Sequence, residues 1–298
     1  MKSMRTVVPG EIPTRDLHQF IVGAIAPRPI AFVSTVDEHG NKNLAPYSFF
    51  NAFSSNPPIV VFSSNRRVSN NTTKDTLHNV KTTGEAVINI VNYEIVRQMA
   101  VASIEFPTEI SEFDKTGLTP LASEEVAPFR VAESPVQLEC KVKEIIALGD
   151  QGGAGHLVIC HVVRMHIAED VIDDRNRIDP QKLDLMGRLG RSYYVRVQGE
   201  AIQTIVQPVT QLAIGYDALP KSVQHSAVLT GNDIGKLSGM QAMPTWPEAE
   251  ILTINDDRTM GLISDQKSVE EFHQYAQEEL EKLNLDFAMK ILLVADRQ

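Results

Sequence analysis

The sequence predicts a mainly β fold: a closed or partly closed antiparallel barrel with helical excursions and a partly helical C-terminal extension. Three observations predict it. Short β-branched and aromatic runs, bounded by turn residues, recur through the first two thirds of the chain. The stretch PVQLECKVKEI (135–145) alternates as a half-buried antiparallel strand does. After about residue 205 the texture changes to turns and amphipathic helical periods. The expected organisation is a barrel over 1–205 and an appended segment over 206–298, without a core of its own.

The elements follow in order. IAFVSTV (30–36) and IVVFSS (59–64) read as strands. DEHGN (37–41) is a hairpin turn, with Gly40 free to take positive φ. A helix is expected from Asp75 to Thr83, with Leu77 and Val80 on one face and Gly84 as its stop. EAVINIV follows as a strand. A second helix is expected from Tyr93 to Ser103, capped by Asn92. In 135–145, Val136, Leu138, Cys140 and Val142 face one way; Gln137, Glu139, Lys141 and Lys143 face the other. GDQGGAG (149–155) turns the chain into HLVICHVVRMHI (156–167), another strand. SYYVRV (192–197) is strand-like. Residues 268–293 read as one or two amphipathic helices, with Ser268 and Glu271 as a capping box.

Composition excludes several classes. Hydrophobic residues make up 43% and charged residues 22%, as in a globular protein. A net charge of −10 argues against a general nucleic-acid binder. The opening MKSMRTVVPGEIPTRDL is broken by proline and charge, so no secretory leader is expected. No apolar run approaches the roughly 20 residues of a membrane span. Only Cys140 and Cys160 are present, which gives neither a disulfide framework nor a metal motif. A cytoplasmic location is expected, with the sequons at Asn70 and Asn71 idle.

The usual nucleotide motifs are missing. GDQGGAG does not fit the dinucleotide fingerprint and lies between antiparallel strands. GNDIGK (231–236) is too short for a phosphate-binding P-loop. His156, Cys160 and His166 are expected on one strand face, but four strand residues span about 13 Å, so His156 and Cys160 cannot share an ion. No metal is expected. The acidic pairs at 124–125, 173–174 and 256–257 read as solvated surface.

RRVSNNTTKDT (66–76) stands apart. It sets Arg66, Arg67, Lys74 and several hydroxyls and amides at a helix start, where a phosphate binds well. Threonine and aspartate also cap helices with no ligand, so both readings stand on this stretch alone.

APRPIAFVSTVDEHGNKNLAPYSFFNAFSSNPPIVVFSS, then KDTLHNVKTTGEAVINIV, closely resembles the flavin reductase-like, FMN-binding split-barrel family, which includes the flavoredoxins. IDPQKLDLMGRLGRSYYVRV is similar to that family's closing motif, and the resemblance covers about residues 20–200. It implies a six-stranded Greek-key barrel, one non-covalent FMN per subunit, and a homodimer that helps enclose it. By position, Ser34, Thr35, Ala45, Pro46, Tyr47, Ser48 and Phe49 should line the ring and ribityl chain. Ser63, Ser64 and Asn65, with Lys74, Asp75 and Thr76, should hold the phosphate and ribityl end. Arg191 and Tyr194 should approach the flavin region.

The function implied is an FMN-dependent oxidoreductase, with hydride passing from NADH or NADPH to flavin N5 and on to free flavin or another small acceptor. An FMN-bearing electron carrier fed by a redox partner protein is the alternative, and a barrel kept for binding alone is a third. The flavin brings its own redox machinery, so no catalytic side chain is required. The acidic surface disfavours an obligatory acidic protein partner.

Overall fold

The computed structural model describes residues 2–205 and 212–298. Contacts divide the chain into two compact units, Met1–Gln203 and Thr204–Gln298. The expected boundary at 205/206 meets residues 206–211, which lie outside the described residues.

In the first unit, helix α1 (Thr14–Ala24) precedes strands β1 (Ala31–Val36), β2 (Lys42–Tyr47), β3 (Phe50–Ser55) and β4 (Pro58–Ser63). Then come α2 (Asp75–Thr83), β5 (Glu85–Ile90), α3 (Val96–Val101) and α4 (Glu112–Thr116). A short ribbon, β6 (Pro120–Leu121) with β7 (Arg130–Val131), leads to the long hairpin β8 (Val136–Ala147) and β9 (His156–Ile167). Helix α5 (Pro180–Leu183) and the ribbon β10 (Met186–Arg188) with β11 (Tyr194–Arg196) complete the unit.

Seven strands form one sheet in the order β2-β1-β5-β8-β9-β4-β3, against the six implied by the resemblance. Every pairing in it is antiparallel. The terminal strands, β2 and β3, are separated only by Ser48 and Phe49. Two residues span at most about 7 Å, so the sheet must curl until its ends nearly meet. The ends do not pair, and the barrel is split there. Its core includes Val33, Tyr47, Phe62, Leu77, Ile88, Leu138 and Val158. Cys140 and Cys160 are free thiols in that core. A hydrogen bond between them, with burial, pushes the Cys140 thiol well up.

α2 occupies the expected residues because Gly84 ends it at φ 70, a left-handed position. Three expectations are corrected in this unit. The second helix starts at Val96, not Tyr93, because Asn92 bridges to Leu185 and does not cap. The strand at 135–145 is not half-buried at its start. Gln137 and Glu139 are buried because the 122–134 segment covers that face. Gln137 donates to Val131 O and Ser134 O, and the Glu139 carboxylate accepts from the amides of Glu124 and Glu125. Nor do His156, Cys160 and His166 share a face. The register steps from Glu139↔Arg164 to Cys140↔Val162, so Val163 is an extra residue that flips the strand. His156 stays beside Ser64 O at 3.2 Å, while His166 meets the Glu139 carboxylate at 2.7 Å. Among the described residues, no group of three or more His, Cys, Asp or Glu could hold a metal, and no helix is long and apolar enough to cross a membrane.

The second unit holds α6 (Lys221–Gln224), α7 (Gly231–Ser238), α8 (Trp246–Glu250), α9 (Leu252–Asn255), α10 (Asp257–Ser264), α11 (Val269–Glu281) and α12 (Leu285–Ala295). The Ser268–Glu271 capping box is present at the start of α11. The expectation of a segment without its own core is corrected. Leu237, Phe272, Leu280, Met289, Ile291 and Leu292 are buried in one cluster. Val269 and Leu283 are exposed, while Phe272 and Leu280 point inward.

His273 is buried in this unit, with Nδ1 2.8 Å from Ser226 Oγ and Nε2 unpartnered. Burial pulls its pKa below the ordinary 6.5, against the raising pull of Glu270 and Asp296. The unfolded chain then takes up a proton that the folded one refuses. Stability should therefore fall as pH drops below about 6.5. Urea unfolding above and below that pH checks this. The His273→Gln variant should lose that part of the slope, and an unchanged slope would contradict it.

Candidate functional site

Where the sheet splits, the β2–β3 connection faces the C-terminus of α1, the end of β4, the start of α2 and the loop after β10. A cavity of about 270 Å³ opens among them. Pro46, Tyr47, Ser48, Phe49, Ser63, Asn65, Lys74 and Arg191 line it, all of them expected from the sequence. Its charged side chains are Arg28, Lys74, Arg188 and Arg191, with His18 beside them and no carboxylate. In a chain of net charge −10 this is a local reversal of sign.

Lys74 is the N-cap residue of α2, and no side chain caps that helix. Neither threonine nor aspartate closes the helix start, so the capping explanation of 66–76 does not hold. Arg67 instead binds Thr72 Oγ1 at 2.8 Å and Thr73 O at 2.6 Å, and pairs with Glu105 at 2.7 Å. The Lys74 ammonium lies 5.1 Å from the centre of the Tyr47 ring. Burial lowers its pKa, and the charge of Arg67 adds to that. Burial pushes the Tyr47 hydroxyl up to about 12. Tyr47 Oη and Ser64 Oγ are buried near each other and near the Thr76 hydroxyl, neighbours that partly offset the upward shift of Tyr47. Ser63 Oγ donates to Asn65 Oδ1 at 2.8 Å.

A smaller cavity of about 80 Å³ lies on the other side of Lys74. Ala45, Asp75 and Thr76 face it, with Arg67, Glu105 and Glu112. Burial raises the Glu112 pKa, although Leu44 N donates to its carboxylate. Three carboxylates against Arg67 and Lys74 make this cavity a poor seat for an anion.

The remaining expected residues line neither cavity. Ser34 and Thr35 are wholly buried in β1, and the Thr35 hydroxyl accepts from Asn43 and Asn79. Ser64 is buried and exchanges backbone hydrogen bonds with His156. Tyr194 lies in β11 with the Arg188 guanidinium 4.6 Å from its ring centre.

Residues missed in the sequence are His18, Gln19, Val22, Arg28, Arg188 and Leu189. Arg28 stands between Pro27 and Pro29, a lone cation in an otherwise apolar run, and that was the available signal. It ties the site together. Its guanidinium donates to Val22 O and Ile25 O, both at 2.6 Å, and to Leu189 O at 3.2 Å.

The model of the flavin reductase like domain matches residues 23–181, just over half of the chain. The chain belongs to this family. A protein of Aquifex aeolicus is 36% identical over 184 residues, spanning 62% of this chain and 91% of that one. Nitrilotriacetate monooxygenase component B from Bacillus cereus superposes with a TM-score of 0.64 at 32% identity, over 68% of this chain and 100% of that one. The 2-nitrobenzoate 2-nitroreductase of Pseudomonas fluorescens gives 0.60 at 28%, over 69% and 98%. The flavoredoxin of Desulfovibrio vulgaris, at 22% identity and 0.51, shares the fold. About a third of this flavin reductase-like chain therefore extends beyond what these structures match.

Proposed function

We propose that this protein is an FMN-dependent oxidoreductase that uses NADH or NADPH to reduce free flavin or another small acceptor. The observation that carries the reading is the uncapped start of α2, opening through Lys74 onto a cavity whose charged side chains are all cationic. Helix N-termini and cations together favour phosphate. Membership of the flavin reductase like family supports the flavin.

Lys74, Ser63 and Asn65 would hold the phosphate, and Tyr47, Ser48 and Phe49 would lie along the ring. When bound, the flavin would supply the redox chemistry. The protein contributes position and field: the cationic wall favours negative charge inside the cavity, and Arg28 fixes the backbone around it. The carboxylates behind Lys74 disfavour the second phosphate of an adenylated flavin, which supports FMN over FAD. The purified protein should be yellow and release FMN on heat denaturation. Colourless protein that takes up no added FMN would sink the reading.

The same reading includes a homodimer. Ile25, Phe53 and Leu148 are exposed at 63%, 68% and 62% along an apolar groove of about 520 Å³ in the barrel unit. Large exposed apolar patches mark interaction sites, and a second copy can bury what one barrel leaves open. Phe53→Glu should give a monomer by light scattering, with weakened flavin binding. A variant that remains dimeric and holds flavin as before would remove this groove from the interface.

A further inference from the structure

Besides Lys74, the cavity of about 270 Å³ holds three arginines. Arg28, Arg188 and Arg191 line it, and no salt bridge to any of them exists among the described residues. The three differ in how they are held. Arg28 is 7% exposed and its donors are engaged by backbone carbonyls. Arg188 donates to Tyr193 O at 3.0 Å and Arg191 O at 2.5 Å, which fixes the 188–193 loop. Arg191 is exposed and stands at φ 55, a region long side chains rarely adopt. The loop packs directly on α1: a Cβ at Gly190 would lie 3.1 Å from Gly23 Cα. The loop is thus held in place, and Arg28 and Arg188 are close enough for one charge to disfavour the other.

Like charges held together without a counter-ion call for an anion. Arginine recognises phosphate through paired N–H donors. Arg191 is exposed and Arg188 half-buried, so an anion held there lies on the solvent side, fitting a part of the ligand remote from the ring that must enter. A terminal phosphate monoester fits that place, being compact and carrying nearly two charges.

We propose that Arg188 and Arg191 form a seat for the 2′-phosphate of NADPH, so that the protein prefers NADPH to NADH. This rests on the reading that the cavity holds FMN and that a nicotinamide dinucleotide is the donor.

The test uses FMN-loaded protein titrated with 2′,5′-ADP and with 5′-AMP, followed by calorimetry. The wild type should bind 2′,5′-ADP roughly tenfold or more tightly than 5′-AMP. Arg191→Gly, which suits the positive φ and leaves the loop unstrained, should abolish that difference while weakening FMN far less than Lys74→Ala does. Arg191→Lys should keep part of it. The NADPH-to-NADH ratio of kcat/KM should fall with the same variants. Equal binding of the two nucleotides by the wild type, or equal weakening of both by Arg191→Gly, overturns the proposal. So does a loss of FMN affinity in that variant as large as that of Lys74→Ala, which would put the flavin phosphate at this end. Protein that takes up no FMN sinks the broader reading; protein that binds FMN yet treats both nucleotides alike sinks only this one.

Discussion

Replacing Lys74 by alanine should weaken FMN binding by about 1.5–3 kcal/mol, roughly 10- to 150-fold in Kd, and leave riboflavin nearly unaffected. The half-buried ammonium stands at an uncapped helix start, facing a cavity that no carboxylate lines. Charge-assisted bonds to phosphate are strong where water is scarce. Burial already lowers the Lys74 pKa, so a bound dianion should raise it again. Riboflavin lacks the phosphate and serves as the internal control. Both ligands would be titrated against wild type and variant by quenching of flavin fluorescence. Equal weakening of the two would mean that Lys74 shapes the cavity without anchoring phosphate.

Glu139→Ala should destabilise the barrel unit by about 2–5 kcal/mol. The Glu139 side chain is fully buried and accepts from Glu124 N at 2.9 Å, Glu125 N at 2.6 Å and His166 Nε2 at 2.7 Å. Truncation leaves two amides and an imidazole without their acceptor and uncovers the outer face of β8. Burial raises the Glu139 pKa, but these hydrogen bonds outweigh it and hold the carboxyl below its ordinary 4.5. Its contribution is therefore present above that ordinary value and lost as pH falls through the lower folded value. Urea unfolding at neutral pH should show the loss, and Glu139→Gln should show less of it. A midpoint within error of wild type in Glu139→Ala would show that the 122–134 segment holds without this carboxylate.

The parts of the fold that were legible in the sequence are those set by neighbours along the chain. α2 could be bounded because its apolar positions repeat and Gly84 stops it. The β8–β9 hairpin was legible from alternation and its glycine-rich turn. An antiparallel barrel was legible from the recurring short strands; its split form and the expected flavin contacts came from resemblance in several ordered motifs. α1 was a missed local signal: Leu17, Phe20 and Ile21 recur at helical spacing, although only Val22 is buried. The rest of what escaped depends on distant partners. Arg28 and Arg188 lie side by side because their backbones exchange hydrogen bonds at 2.9 and 2.8 Å across the fold, and no local pattern encodes that. The bulge at Val163 moves His166 to the other face without any mark in composition. In the C-terminal unit the helical period of α11 and α12 was legible, but not that these two helices pack with the short helices before them into a core of their own.

The central claim is that the cationic cavity holds a flavin which a nicotinamide dinucleotide can reduce. Anaerobic mixing of the FMN-loaded protein with NADPH or NADH tests it most directly, with the flavin's visible absorbance as the readout. The account predicts that the band bleaches within the time of catalytic turnover, faster with NADPH, and returns when air or free flavin is admitted. A band that stays unchanged with both nucleotides, in protein that has bound FMN, would contradict it.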